Sequence, residues 1–189
     1  SATRMDFQAD PGSLRIRQNI FAAKIRVVGD LIYDELPLIS VGVQHKKLLD
    51  TDTANALGAR NTSGNDYYLS AARAWLDGPL NRTIFVNLNL RNTEANQLGL
   101  LGFGGVDADR EWLFEGAAAI FLNRRWAVGL EYRQKPDNIP GLKEDDWADL
   151  FLAYFPSKRF SVTAAYLDLG EIAGASDQSG FYLSRQGTL

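Results

Sequence analysis

Apolar side chains recur at every second position from Ile84 to Leu90 (Ile84, Val86, Leu88, Leu90), with Asn87, Asn89 and Arg91 on the alternate positions. A period of two points successive side chains to opposite faces of an extended strand, so this segment has one apolar and one polar face. The pattern returns at Ile39, Val41 and Val43 against Ser40, Gly42 and Gln44. It returns again at Trp126, Val128, Leu130 and Tyr132 against Ala127, Gly129, Glu131 and Arg133, and at Phe160, Val162, Ala164 and Tyr166 against Ser161, Thr163 and Ala165. No segment sustains a helical period. The chain therefore reads as all-β, an antiparallel up-and-down transmembrane β-barrel in a single domain over residues 1–189.

Strands are expected at 14–29, 37–47, 66–76, 82–92, 110–122, 125–135, 146–155, 158–168 and 180–188. A further one at Ala2 to Gln8, closed by an Asp10-Pro11-Gly12-Ser13 turn, raises the count from nine to ten. Most are near the roughly 9–11 residues that cross a bilayer at a tilt. Short connections (30–36, 77–81, 123–124, 156–157) alternate with longer polar ones (48–65, 93–109, 136–145, 169–179). In an antiparallel meander this places the long loops at one end of the sheet and the short turns at the other, as in outer-membrane barrels.

Composition closes off other classes. Twenty basic against 23 acidic residues give a net charge of −3, which offers no basic face for nucleic acid. The absence of Cys excludes thiol chemistry, disulfides and cysteine–zinc sites, and His45 is the single histidine. The longest apolar runs, such as Gly116 to Leu122, fall far short of the roughly 20 residues of a spanning helix. No cofactor, metal site or catalytic group is expected.

The polar face carries Lys24, Arg26, Gln44, Asn87, Asn89, Glu115, Glu131, Arg133, Asp149 and Arg159. Its charged members (Lys24, Arg26, Glu115, Glu131, Arg133, Asp149, Arg159) are expected to form a salt-bridge network inside a narrow lumen. The small residues Ala117, Ala119, Ala127, Gly129, Ala153 and Ala165 on that face suit a filled interior better than a solvated surface. Two strands resist. Arg73 shares a face with Leu69 and Ala71, which a bulge would repair, and Arg185 shares one with Phe181 and Leu183, which places it near the rim or inside.

The blocks Ala95-Asn96-Gln97-Leu98-Gly99-Leu100-Leu101-Gly102-Phe103-Gly104-Gly105, Ala127-Val128-Gly129-Leu130-Glu131-Tyr132-Arg133-Gln134-Lys135-Pro136-Asp137-Asn138, Glu144-Asp145-Asp146-Trp147 and Ala164-Ala165-Tyr166-Leu167-Asp168-Leu169-Gly170 resemble an uncharacterised family, a domain of unknown function, of Gram-negative outer-membrane proteins. The resemblance implies a β-barrel in the bacterial outer membrane, among its lipids and lipopolysaccharide, with no established reaction. Members extend further at the N-terminus and finish on an aromatic residue, whereas this chain finishes Gly187-Thr188-Leu189. Strand parity agrees with the first departure. Counted back from a last strand ending on the short-turn side, nine strands would start Leu14 at the long-loop side, so a strand must precede it. The expectation is a chain lacking N-terminal strands, the C-terminal part of a barrel of about 12, with the rest supplied by another segment or chain.

Four features bear on chemistry. The glycine-rich stretch 98–105 lacks the Lys-Ser/Thr of a phosphate-binding loop and is expected to fold into the barrel end as a constriction, with Leu101, Phe103 and Gly104 at its centre. Asp137, Glu144, Asp145 and Asp146 match no calcium-loop spacing and read as solvated loop charge. His45 lies beside Lys46 and Lys47 without a Gly-x-Ser-x-Gly elbow, which leaves a structural role at the rim. Glu115 and Glu131 fall on neighbouring strands, where Arg133 and Arg159 make ion pairs the plainer account of a carboxylate pair.

The expected function is a non-enzymatic outer-membrane channel or scaffold with a narrow charged lumen. The alternatives are a soluble periplasmic barrel binding a small apolar ligand and an outer-membrane hydrolase using His45.

Overall fold

A computed structural model of the chain describes residues 1–9, 14–105, 110–136, 138, 144–172 and 175–187. Ten antiparallel strands form one sheet in sequence order: β1 (Ala2–Ala9), β2 (Leu14–Val28), β3 (Leu38–Leu48), β4 (Ser63–Gly78), β5 (Arg82–Thr93), β6 (Glu111–Phe121), β7 (Trp126–Arg133), β8 (Trp147–Ser157), β9 (Phe160–Ile172) and β10 (Ala175–Gly187). A five-residue helix, α1 (Asp52–Ala56), lies between β3 and β4. The alternating pattern thus yields the up-and-down meander, and β1 is the strand that parity required before Leu14. The sheet is open: β1 and β10 are its two edges, and β1 pairs with β2 only as far as Phe21.

The connections depart from strict alternation at one place. Residues 169–172 and 175–179 extend β9 and β10 instead of forming a long loop, because Gln178 and Ser179 continue the pairing with Gly170 and Asp168 through a local register shift. Asp10-Pro11-Gly12-Ser13 lies outside the described residues.

No bulge interrupts β4 at the expected place. Its register with β5 runs from Tyr67 opposite Asn92 to Trp75 opposite Ile84, and the shift comes only beyond Trp75. Arg73 therefore stays on the apolar face. Its Nη1 donates to the carbonyls of Asp34 and Glu35 in the β2–β3 turn, so the long side chain carries its charge to the strand end. Arg185, opposite Val162 and two residues before the end of β10, is likewise exposed near the short-turn rim.

The register fixes two unlike faces. The outer face is apolar and uncovered: Ile25 is 67% exposed, Leu130 61% and Phe181 89%. Aromatic rings gather near its short-turn end, where Trp126 stacks on Tyr154 with centroids 4.5 Å apart, and near its long-loop end, where Trp112 and Tyr132 are exposed; at mid-strand Tyr166 meets Phe181 edge-on at 5.4 Å. The inner face carries small and polar residues. Ile16, Leu48, Ala54 and Leu101 pack into an apolar cluster at the long-loop end, while Gln18, Ser40, Lys46, Asp66, Ser70, Arg91 and Thr93 are buried. This inverts the arrangement in which apolar faces converge on a core.

Candidate lumenal site beneath the long loop

The inner face of β3 to β7 carries a connected run of charges. Asp66 on β4, fully buried, lies 2.6 Å from Lys46 Nζ on β3 and 3.7 Å from Arg91 Nη1 on β5. Arg91 Nη2 reaches Glu115 Oε1 on β6 at 2.6 Å, and Arg133 Nε on β7 meets the same oxygen at 2.7 Å. Neutral donors complete the set: Thr93 Oγ1 donates to Asp66, and Asn89 Nδ2 to Glu115 Oε2 at 2.7 Å. Cross-strand register makes this possible, since Gln44 faces Asp66, Asn89 faces Glu115 and Glu115 faces Arg133. Three cations stand against two carboxylates in one connected network, with Lys46, Asp66 and Arg91 buried and Glu115 and Arg133 partly exposed at its β6–β7 side.

Of the expected network residues, Glu115 and Arg133 are central. Lys24 lies on the same face with its Nζ 5.9 Å from the Tyr68 ring centroid, and Arg26 pairs with Asp30 at 3.6 Å towards the β2–β3 turn. Glu131 and Asp149 face each other across β7 and β8 and take no part in the network. Arg159 sits exposed in the β8–β9 turn, far along the strands from Glu115, and makes no contact with it. Glu115 and Glu131 do not form a carboxylate pair, because the register sets Arg133 opposite Glu115 and Ala117 opposite Glu131. Sequence reading missed Lys46, Asp66 and Arg91. Arg91 was visible on the polar phase of its strand, whereas Lys46 and Asp66 lie at the ends of the expected strands 37–47 and 66–76, where alternation within one strand does not tell what they meet.

The segment from Glu94 to Gly105 covers the network. Phe103 is fully buried and pairs through its backbone with Asn61, N–H to carbonyl in both directions at 2.9 Å. Its ring lies on Gly64, where any side chain would collide with it. Leu101 packs with Ile16, Leu48 and Ala54 of α1, and Asn96 Nδ2 donates to the carbonyl of the buried Gly104 at 2.8 Å. Gln97 and Leu98 hold the left-handed backbone region, φ 43° and 63°, a conformation costing non-glycine residues about 1–3 kcal/mol each unless packing enforces it. The enforcing contacts are Gln18 Nε2 to the Leu98 carbonyl on one side and Gln97 Nε2 to Glu144 Oε2, at 2.6 Å, on the other. The loop is therefore tied to β2 and to the β7–β8 connection at once, and spans the inner face. A cavity of about 370 Å³ lies beneath it, lined by Lys24, Tyr68, Asn89, Arg91 and Arg133 and roofed by Leu98.

Glu144, Asp145 and Asp146 are tied into the fold by hydrogen bonds, Glu144 with its side chain buried and Asp146 still exposed. Glu144 lies buried 3.3 Å from Lys135 Nζ, which also donates to the Leu169 and Glu171 carbonyls. Asp145 accepts from the Glu171 N–H, and Asp146 from Tyr132 Oη and the Lys135 N–H. Asp137 lies outside the described residues, among which no three His, Cys, Asp or Glu side chains gather as metal ligands. His45 is exposed, with Nδ1 2.9 Å from Asn65 Oδ1.

At the long-loop rim, Asp50 accepts from Arg17 Nε, Nη2 and backbone N–H at 2.7–2.9 Å, and the guanidinium holds its carboxyl down at about 2. In the β2–β3 turn, Asp30 accepts the Ile32 and Tyr33 N–H groups, which lower its pKa as well.

No curated protein and no solved structure matches the chain. The family described as Protein of unknown function (DUF3034) matches residues 2–186, so nearly the whole meander, with its charge network and covering loop, falls within one family unit. The chain belongs to the DUF3034 family.

Proposed function

We propose that the protein is an outer-membrane β-barrel whose charged lumen is closed at the long-loop end by residues 94–105, a gated channel or scaffold without catalytic chemistry. The observation that carries this reading is the inversion of its faces. A buried Asp66–Lys46–Arg91–Glu115–Arg133 network lies inside a sheet whose outer face exposes Ile25, Leu130, Leu150, Leu152 and Phe181. In water such a continuous apolar surface drives association; against lipid tails it is solvated, with phospholipid and lipopolysaccharide as neighbours. Tyr and Trp near both strand ends fit the two bilayer interfaces.

A hydrocarbon interior also leaves no backbone group unpaired. Insertion therefore requires the edges of β1 and β10, and of β2 beyond Phe21, to close on each other or on further strands, from this protein or another chain.

The test is single-channel recording of the purified protein in planar bilayers beside a variant lacking residues 99–105. Removing the covering loop raises conductance; unchanged conductance rejects the gating role. Recovery of the protein in aqueous buffer without detergent rejects the membrane reading itself.

A further inference from the structure

The inner face changes character along its length. Below the charge network, towards the short turns, Phe85, Phe121, Phe151, Phe155 and Tyr182 line a cavity of about 680 Å³ whose wall is mainly apolar. Phe121 and Phe155 stack with centroids 5.8 Å apart, and the Phe151 ring lies on Gly129, a position where a side chain would strike it. Leu31 and Ile32 of the β2–β3 turn close the same space from the opposite side. Such a volume of apolar wall is the usual setting for a small organic ligand.

Glu131 and Asp149 stand at the boundary between this cavity and the network. They are direct cross-strand partners, which sets two like charges about 5 Å apart between their Cβ atoms, an unfavourable arrangement. Among the described residues neither carboxylate has an ion-pair or hydrogen-bond partner, and Asp149 Oδ1 is buried without a donor. The nearest cation along β7, Arg133, is held on Glu115 at 2.7 Å and lies over the Trp147 ring at 5.5 Å. Lys46, Arg91 and Arg133 are thus held on Asp66 and Glu115, which leaves two acids facing an aromatic cavity.

We propose that this cavity is a binding site for amphipathic organic cations, taking an aromatic or alkyl body among the phenyl rings and an ammonium group on Glu131 and Asp149. The ammonium offers the missing donors and relieves the like-charge pair, and the aromatic faces favour a cation held close to them. A small metal ion fits poorly, since two carboxylates and an apolar wall supply too few oxygen ligands. The inference uses the inner face alone; only the medium of its test follows the membrane reading, and a chain that does not enter nanodiscs is titrated with the same three probes in aqueous buffer.

The experiment is titration of the full chain, in nanodiscs of zwitterionic phosphatidylcholine with empty discs subtracted, by 1-naphthylmethylammonium, the neutral 1-naphthalenemethanol and the anionic 1-naphthoate. The cation binds at least tenfold more tightly than the alcohol, and the anion binds least. Glu131→Gln with Asp149→Asn removes the difference between cation and alcohol, while Ala153→Trp, which fills the cavity from β8, abolishes binding of both. Far-UV circular dichroism matching the parent shows that each variant has folded, and Glu131→Gln alone provides the milder replacement if the pair does not. Equal affinity for cation and alcohol, a preference that survives both neutralised carboxylates, or no binding by any of the three overturns the proposal.

Discussion

Lys46 Nζ lies 2.6 Å from Asp66 Oδ2 with 4% and 0% of the two side-chain surfaces exposed. Both charges have lost their hydration, and each is tolerable only because the other is present. A buried pair of this kind adds little net stability over a well-packed apolar pair, but breaking it leaves a charge uncompensated.

Asp66→Ala strands Lys46 and leaves Arg91 with Glu115 alone. The expected loss is about 3–5 kcal/mol in unfolding free energy, measured by urea titration of the folded protein. Replacing both partners together, Lys46→Met with Asp66→Leu, costs less than Asp66→Ala alone. A double variant as unstable as the single one contradicts the account.

Phe103→Ala removes the ring packed on Gly64 and opens a void under the covering loop. Large-to-small changes at fully buried aromatic positions cost about 3–5 kcal/mol. The cost here falls on the docking of the loop, so hydrogen exchange at Asn61, Asn96 and Phe103 speeds up while the amides of β5 to β7 stay protected. Uniform acceleration over the whole sheet would show that the loop has no stability of its own to lose.

Leu130→Arg tests what the outer face meets. Leu130 lies mid-strand between Ala118 and Leu150. A cation there costs about 2–4 kcal/mol at a bilayer midplane, against roughly half a kcal/mol or less on a water-facing surface. Unfolding of the variant in liposomes reads the difference, and an effect of the smaller size counts against lipid contact.

The rim contact between Arg17 and Asp50 gives a pH dependence with a defined sign. Because the Asp50 carboxyl is lowered from 3.8 to about 2, its contribution is complete above the ordinary value and is lost as the pH falls through about 2. Proteolysis of the 49–62 loop by pepsin, followed from pH 4 down to pH 1.5, accelerates towards the lower end. Asp50→Asn flattens the profile; a profile as steep as the parent's assigns the effect to another group.

Period-two alternation determined the fold class and nearly every strand, because the requirement that alternate side chains face opposite ways is local and needs no knowledge of the neighbouring strand. It also placed Glu115, Arg133, Glu131 and Asp149 on one face. Which of these meet was a matter of register, and register is set between strands: Glu115 falls opposite Arg133, and Glu131 opposite Asp149. Lys46 and Asp66 joined the network because the β3–β4 register sets Gln44 opposite Asp66 and so brings Lys46, two residues along the same face, beside it.

The same limit explains the remaining differences. Arg73 breaks the apolar phase of β4 in sequence, yet its length lets the guanidinium reach the Asp34 and Glu35 carbonyls without any bulge. Glu144 and Lys135 read as loop charges until the chain reverses and buries them against each other. The sequence by itself determined that the chain makes two-faced strands and which residues share a face, since that is covalent geometry. Only the tertiary structure decided which charges are paired, which are left over and where the apolar cavity lies, since those depend on distances between strands that no single strand contains.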